Sequence, residues 1–408
     1  MINVAIMGFG TIGSGVYEVI DTNKELIRRR IGQEINVKYV LDLREFPGTP
    51  VENIVVHDIN TILEDDEVQV VVETMGGTGA SYKFVKEALM HGKSVATSNK
   101  ALVAAYGTEL IQIAKDKGAN FLFEASVGGG IPIVRPIMTS YSADDILEIT
   151  GILNGTTNYM LTKMANEGSE FEAVLKNAQE LGYAEQDPTA DVEGHDSCRK
   201  ISILTALAFG HEVDYEDIPT EGITAITADD FKYAKSINKS IKLFARCKQI
   251  DGGVAAMVCP VLVSPEHPLY NVNDVYNGIF IKGNVVGDTM LYGSGAGKLP
   301  TASAVVADIV DIAKHLGKNI MLTWEADKLE LADPKSFEYK YFVRVRGNAE
   351  ECVEAIHEAF GSVTVIECQD VDEEFAFITE KMVERDYDAK LANLADEVAV
   401  IKMLRVEE

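Results

Sequence analysis

The chain has 408 residues, 47% of them hydrophobic, with 33 Gly and 11 Pro. That suits two or three domains with real cores and excludes disorder as the dominant state. Lys and Arg total 37 against 64 Asp and Glu, a formal charge of −27, so the surface repels phosphate backbones and no nucleic-acid partner is expected; a solvated acidic surface and a saline cytosol would both account for it. No apolar run approaches the roughly 18–20 residues that span a bilayer. The opening MINVAIMGFG has no basic region, and the five cysteines never form CxxC. A soluble cytoplasmic protein with reduced thiols and no membrane partner is the expectation.

Taken in order, Ile2–Met7 reads as a buried parallel strand, with helical spacing to about Arg30 and a second strand at Asn36–Leu41. Val68–Glu73, a helix around Ser81–His91, Lys93–Thr97 and Asn120–Glu124 continue the alternation. This predicts an α/β, Rossmann-type parallel sheet over 1–135. Residues 136–297 read as an α+β substrate and dimerisation domain, with helices at Tyr159–Glu167, Phe171–Gly182 and Ser197–Phe209 and strands at Ile146–Leu153 and Val254–Val263. Pro260 assigns the latter strand to an edge or a bulge. The helix Thr301–Leu316, within 298–320, is expected to pack back on the first domain. After the linker signal Leu331–Ser336, residues 335–408 follow a βαββαβ order, the ferredoxin-like split motif, and read as an independent folding unit.

Gly8-Phe9-Gly10-Thr11-Ile12-Gly13 is G-x-G-x-x-G directly after a strand and opening a helix. The first glycine makes the tight turn, the second admits a pyrophosphate and the third permits close packing, with the helix N-terminus favouring negative charge. Asp42 would bind a ribose 2′-hydroxyl and favour NAD; Arg44, two residues on, would accept the 2′-phosphate of NADP. Either cofactor fits this reading.

Between Ala178 and Lys200 the chain crowds Glu185, Asp187, Asp191, Asp196 and Lys200 together. Asp196 and Lys200 are four apart, so a helix places them on one face as a charge pair. Carboxylates there could bind an ammonium while Lys200 supplies a proton. A solvated acidic loop before a helix explains the same residues.

This segment resembles the homoserine dehydrogenase signature at Ala178, Gly182-Tyr183-Ala184, Asp187-Pro188, Asp191-Val192, Gly194, Asp196 and Lys200. Ordered blocks agree: Thr97–Ala101, Glu124–Pro132, Asn154–Tyr159, His267–Leu269 and Gly293–Gly297, so the resemblance covers about residues 1–320. It implies NAD(P)H-dependent reduction of L-aspartate 4-semialdehyde to L-homoserine, on the route to threonine, methionine and isoleucine. Hydride addition to an aldehyde makes an alkoxide, which needs a proton donor and a positive neighbour. The resemblance gives these tasks to Lys200 and Lys100, with Asp196 orienting Lys200. Glu185 and Asp191 would bind the substrate amine, and Thr156 and Tyr183 would shape its pocket. Thr74, Ser98, Lys100 and Gly297 would join the glycine loop in holding the cofactor. Glu124 with the carbonyls of Val127, Gly129 and Ile131 resembles the family's monovalent-cation site, whose hard oxygens suit sodium.

Two other readings stand beside this one. A phosphorylating aldehyde dehydrogenase would need a cysteine nucleophile in a strand-to-helix turn with a base histidine, whereas Cys198 falls within a predicted helix. A non-catalytic amino-acid sensor would make Lys100, Glu185, Asp196 and Lys200 superfluous. The tail resembles an ACT domain, with an amino-acid effector and a homodimer or tetramer as the implied partners. Where such domains often carry Asp-x-x-Gly, this chain has Gly347-Asn348-Ala349-Glu350, which leaves a purely dimerising tail open beside an effector-binding one.

Overall fold

The computed structural model describes residues 1–394 and 398–408. Its first unit opens with β1 (Ile2–Met7), whose apolar run is buried because its sheet carries core on both faces. Helices α1 (Thr11–Thr22) and α2 (Lys24–Ile31) follow, then β2 (Ile35–Leu41), β3 (Val55–Val56), α3 (Asn60–Leu63) and β4 (Val68–Glu73). The helical stretch expected to about Arg30 forms as two helices that meet at Asn23. Next come α4 (Ala80–Met90), β5 (Ser94–Thr97), α5 (Lys100–Asp116), β6 (Phe121–Leu122) and α6 (Val134–Thr139). All the strands run parallel, in the order β3-β2-β1-β4-β5-β6. The order reverses between β1 and β4, so a crevice opens at their carboxyl ends, where doubly wound sheets bind ligands.

The second unit contributes β7 (Ile146–Ile152), α7 (Gly155–Glu167), α8 (Phe171–Glu180), α9 (Thr189–Val192) and α10 (His195–Phe209). It continues through β8 (His211–Glu212), α11 (Ala228–Ser236), β9 (Ser240–Ile250), β10 (Gly253–Val263), β11 (Tyr276–Gly283) and β12 (Gly287–Ser294). The chain then returns to the first unit as α12 (Lys298–Lys314), burying Ala302, Val305 and Ile309 with Ile6 and Val16. Gly15 allows that approach, since a Cβ there would stand 3.0 Å from the Ala302 Cβ.

The tail comprises β13 (Glu325–Lys328), which pairs with β8, then β14 (Glu338–Arg346), α13 (Ala349–Phe360), β15 (Val363–Ile366) and β16 (Glu374–Thr379). It ends with β17 (Met382–Val383), α14 (Glu384–Leu394) and β18 (Val400–Glu407). Its strands lie in the order β18-β14-β16-β15, the arrangement a βαββαβ unit adopts.

That unit is not separate. β18 also pairs parallel to β10, Val261 to Val263 against Arg405 to Glu407, so one sheet runs β12-β11-β7-β9-β10-β18-β14-β16-β15 through both. Buried arginines reinforce the seam. Arg246 on β9 reaches Glu148, Tyr339 and Glu407, and Arg344 on β14 pairs with Asp230 on α11 at 2.5 Å. β10 is therefore central, contrary to what Pro260 suggests. Thr220 bridges to Val258, and the β18 ladder begins only at Val261. The proline falls in the gap between the two, where a missing N–H is tolerated. No described helix is long and apolar enough to cross a membrane.

Candidate active site

The glycine loop forms as its spacing dictates. Gly8 takes φ +89°, a conformation that favours glycine, and Gly10 caps α1 without a side-chain bond. A Cβ at Gly13 would lie 2.0 Å from the Gly8 carbonyl, so only glycine closes this turn. At Gly10 nothing lies within 4 Å of such a Cβ. No protein atom demands glycine there; the room left open matches what a pyrophosphate needs beside the first N–H groups of α1.

Around this loop the side chains are firmly held. Thr74 donates to the Gly8 carbonyl at 2.8 Å and to that of Met7 at 3.2 Å, so its hydroxyl shapes the turn. Asp42 accepts from the Phe9 amide at 2.8 Å and from Arg44 at 2.9 Å. The Arg44 guanidinium holds its carboxyl well below the usual carboxylate range. The buried Glu73 accepts from Met75 and Gly76 amides and from Thr97, and burial pushes its carboxyl up. Thr97 in turn accepts from the Asn99 amide, and Asn99 caps α5 at Leu102. This chain fixes Ser98 and Lys100 at the carboxyl end of β5.

Lys100 opens α5 and crosses to the second unit, where its Nζ meets Asp196 at 2.6 Å. Asp196 and Lys200 share one face of α10 and pair at 2.8 Å. Lys200 also donates to the Leu153 carbonyl at 2.7 Å. Although burial opposes it, the two lysines hold Asp196 well below the usual carboxylate range. Burial likewise pulls Lys100 down, but Asp196 more than offsets this and its pKa is raised.

Asn154 completes the cluster, and the sequence reading gave it no role. Its Nδ2 donates to Asp191 at 2.7 Å and to Asp196 at 3.0 Å, while its Oδ1 caps α7 at Thr157. An asparagine before a helix was the available signal; its bridge between two carboxylates 37 and 42 residues away was not. Burial raises Asp191, and the neighbouring Asp196 adds to that against the Asn154 bond.

The remaining predicted residues fall around this core. Thr156 donates to the Tyr183 carbonyl at 2.7 Å, tethering the loop that carries Glu185. Tyr183 sets its ring edge against Tyr159, and the Glu185 carboxylate stands exposed, with no hydrogen bond or ion pair among the described residues. Gly297 caps α12 at φ +112°. Cys198 is buried, its thiol pushed up by burial and donating to the Tyr215 carbonyl; it is no nucleophile.

The Glu124 side chain also has a structural part. The Glu124 carboxylate accepts from the amides of Ile133, Val134 and Arg135 at 2.6, 2.8 and 2.8 Å, at the start of α6. It serves as a helix cap, on the same loop as Val127, Gly129 and Ile131. The reason is local: the chain folds back nine residues later and presents amide donors that have no helical acceptor.

Family models match two stretches: the homoserine dehydrogenase NAD-binding domain at residues 8–124 and homoserine dehydrogenase at 132–310. The homoserine dehydrogenase of Bacillus subtilis is 40% identical over 318 residues, 77% of this chain and 73% of that protein. A homoserine dehydrogenase structure from Thiobacillus denitrificans superposes with a TM-score of 0.91 at 33% identity, covering 100% of this chain and 98% of that one. A hyperthermophilic archaeal homoserine dehydrogenase in complex with NADPH gives a TM-score of 0.65 at 28% identity, over 76% of this chain and 97% of that one. With a dinucleotide crevice and a lysine–carboxylate cluster facing each other across the two units, the chain belongs to the homoserine dehydrogenase family of NAD(P)-dependent oxidoreductases.

Proposed function

We propose that the cluster around Asp196 is the proton-delivery site for reducing L-aspartate 4-semialdehyde to L-homoserine. The observation that carries this is the hydrogen-bond inventory of Lys200. An ammonium has three donors; one goes to Leu153 and one to Asp196, leaving the third for a substrate carbonyl oxygen. The nicotinamide supplies hydride to the aldehyde carbon when the cofactor is bound. Lys200 gives its proton to the oxygen as the carbonyl bond breaks, and Lys100 balances the charge that develops there. The two ammonium groups flank the position where the oxygen's charge develops, which favours an alkoxide-like transition state.

Glu185 and Asp191 are the carboxylates we assign to the substrate amine, with Thr156 and Tyr183 forming the loop over it. The glycine loop, Ser98, Lys100 and Gly297 would hold the cofactor, with Thr74 supporting from behind. Arg44 lies exposed beside Asp42, so a 2′-phosphate and a 2′-hydroxyl both find a partner. Glu124 with the carbonyls of Val127, Gly129 and Ile131 would hold a monovalent cation, hard oxygens that suit sodium.

The tail reads as an ACT-like module with a place for a small amino acid. Gly347 to Ala349, Glu367 to Gln369 and Val371 to Phe375 line an open cavity of about 600 Å³ at the turn where such a ligand's backbone would be read. Assembly as a homodimer or tetramer and a cytoplasmic location complete the reading; all five cysteines are free thiols, as a reducing compartment favours.

The test is absorbance at 340 nm with NADPH or NADH and aspartate semialdehyde, without phosphate, on the wild type and Lys200→Ala. Wild type should consume cofactor, while the variant should lose about 10²-fold in kcat and bind NADPH unchanged. Near wild-type turnover would make Lys200 an ion-pair residue and require another donor.

A further inference from the structure

Two glycine-bearing segments, far apart in sequence, meet at the side chain of Asn277, and a third packs against one of them. On β11, Gly278 pairs with Ile152 of β7, so Asn277 lies beside Leu153, whose carbonyl holds Lys200. Asn277 faces the same side of the sheet as Ile279 and Ile281, the side that packs in one core with Ile201 and Leu204 of α10. A Cβ at Gly295 would lie 2.1 Å from Asn277 Nδ2, and one at Gly155 would lie 3.6 Å from its Oδ1. The amide thus fills the space between the late glycine turn and the first residue of α7, next to Thr156. On the other side of the same turn, a Cβ at Gly129 would lie 2.3 Å from the Gly295 carbonyl, and the Gly130 amide donates to Ser294 at 3.0 Å.

That amide is unpaired. Both Nδ2 and Oδ1 are buried without a hydrogen-bond partner, in a residue only 1% exposed. Asn158 nearby lacks a partner only at its Oδ1, since its Nδ2 donates to the carbonyls of Val272, Asp274 and Tyr276. A buried amide unsatisfied at both ends is less favourable than an apolar side chain of the same shape. Stability of the unliganded fold therefore does not account for an asparagine here. Its location does, because the loop before α6 and the stretch before α12, which returns the chain to the first unit, pack against each other at this point.

We propose that Asn277 is a positioning residue for the reduction. When cofactor and substrate are both bound, its amide hydrogen-bonds the backbone of the Gly293–Gly297 turn on one side and of the Gly155 loop on the other. The cofactor-side turn is thereby fixed to the substrate loop. This rests on the assignment of Gly297 and Thr156 to cofactor and substrate.

Asn277→Leu tests it, since leucine nearly matches asparagine in shape. Without ligands the variant should unfold at the wild-type temperature or above, because the unpaired polar atoms are gone. Its kcat should nevertheless fall about 10-fold or more, the scale of a small misplacement of reacting groups. The extra thermal stabilisation given by NADP⁺ plus homoserine should shrink. Wild-type kcat and ligand-induced stabilisation in a folded N277L would overturn the proposal, as would a lowered melting temperature with full activity per folded molecule. If N277L fails to fold, Asn277→Ser decides. Its short hydroxyl cannot reach both backbones, so the same losses are expected, and undiminished kcat would overturn the proposal. A wild type that leaves NADPH unconsumed would defeat the underlying reading instead.

Discussion

Gly10 and Gly13 sit in one turn, yet glycine answers a different demand at each. Gly13 is required by the protein's own backbone, whereas at Gly10 the protein leaves room that a pyrophosphate would fill. Gly10→Val should therefore fold with an unchanged melting temperature and lose NADPH binding in a calorimetric titration. Gly13→Ala must displace the Gly8 carbonyl and should lower stability by about 1–3 kcal/mol, the usual cost of overpacking, as read by urea unfolding. Tight NADPH binding by G10V would mean the pyrophosphate lies elsewhere. Lys242 offers a second residue-level test. It is buried on β9, donating to the Val272 carbonyl and to Asn273 at 2.7 Å each, and burial pulls its pKa from 10.5 down to about 8. Between those values the unfolded chain binds the extra proton and the native chain does not. The lysine's contribution to stability thus rises with pH across that window and is flat below about 8. The wild type should gain on Lys242→Met by up to about 3 kcal/mol from pH 8 to 10.5. A difference that stays constant with pH would show that Lys242 keeps its proton.

At the scale of elements, the candidate active site is built where helix starts meet strand ends. α5 presents Lys100 at its first turn, α10 presents Asp196 and Lys200 on one face, and α7 begins at the Asn154 cap. Asn154 does two jobs that substitutions can separate. Asn154→Ala removes the cap and should cost about 1 kcal/mol by denaturation, while freeing Asp191 from Asp196. Asn154→Ser keeps a capping hydroxyl but no donor able to reach both carboxylates. Its stability should return toward wild type while kcat/KM for the semialdehyde stays low. Recovery of both together would reduce Asn154 to a cap.

For the molecule as a whole, the seam between β10 and β18 decides how separable the tail is. Ending the chain before Glu338 spares every residue assigned to chemistry. It also exposes the apolar Val261–Val263 edge and removes Glu407 and Tyr339 from Arg246, and Arg344 from Asp230. A buried charge stripped of its partner costs about 3–5 kcal/mol, and a bare apolar strand edge recruits other chains. The truncated protein should melt lower and associate in size-exclusion chromatography, even with the catalytic cluster intact. A monodisperse, equally stable product would show that the tail is an appendage after all.

The sequence by itself determined the parallel sheet, the glycine turn and the charge pair at Asp196 and Lys200, because each follows from local periodicity or from spacing along one helix. It also gave the element order of the tail, βαββαβ, since alternation and turns are short-range signals. What the tertiary structure decided was pairing between distant segments. It joined β18 to β10 and made Pro260 part of a central strand, because ladder partners leave no mark in either strand's own pattern. It brought Lys100 from one unit to Asp196 in the other, and gave Asn154 two carboxylates to bridge. It turned Glu124 into a helix cap, since the amides it serves come from a return of the chain that spacing does not reveal. Contacts within a turn or a helix face are fixed by covalent neighbours; these contacts exist only once the whole chain has closed around them.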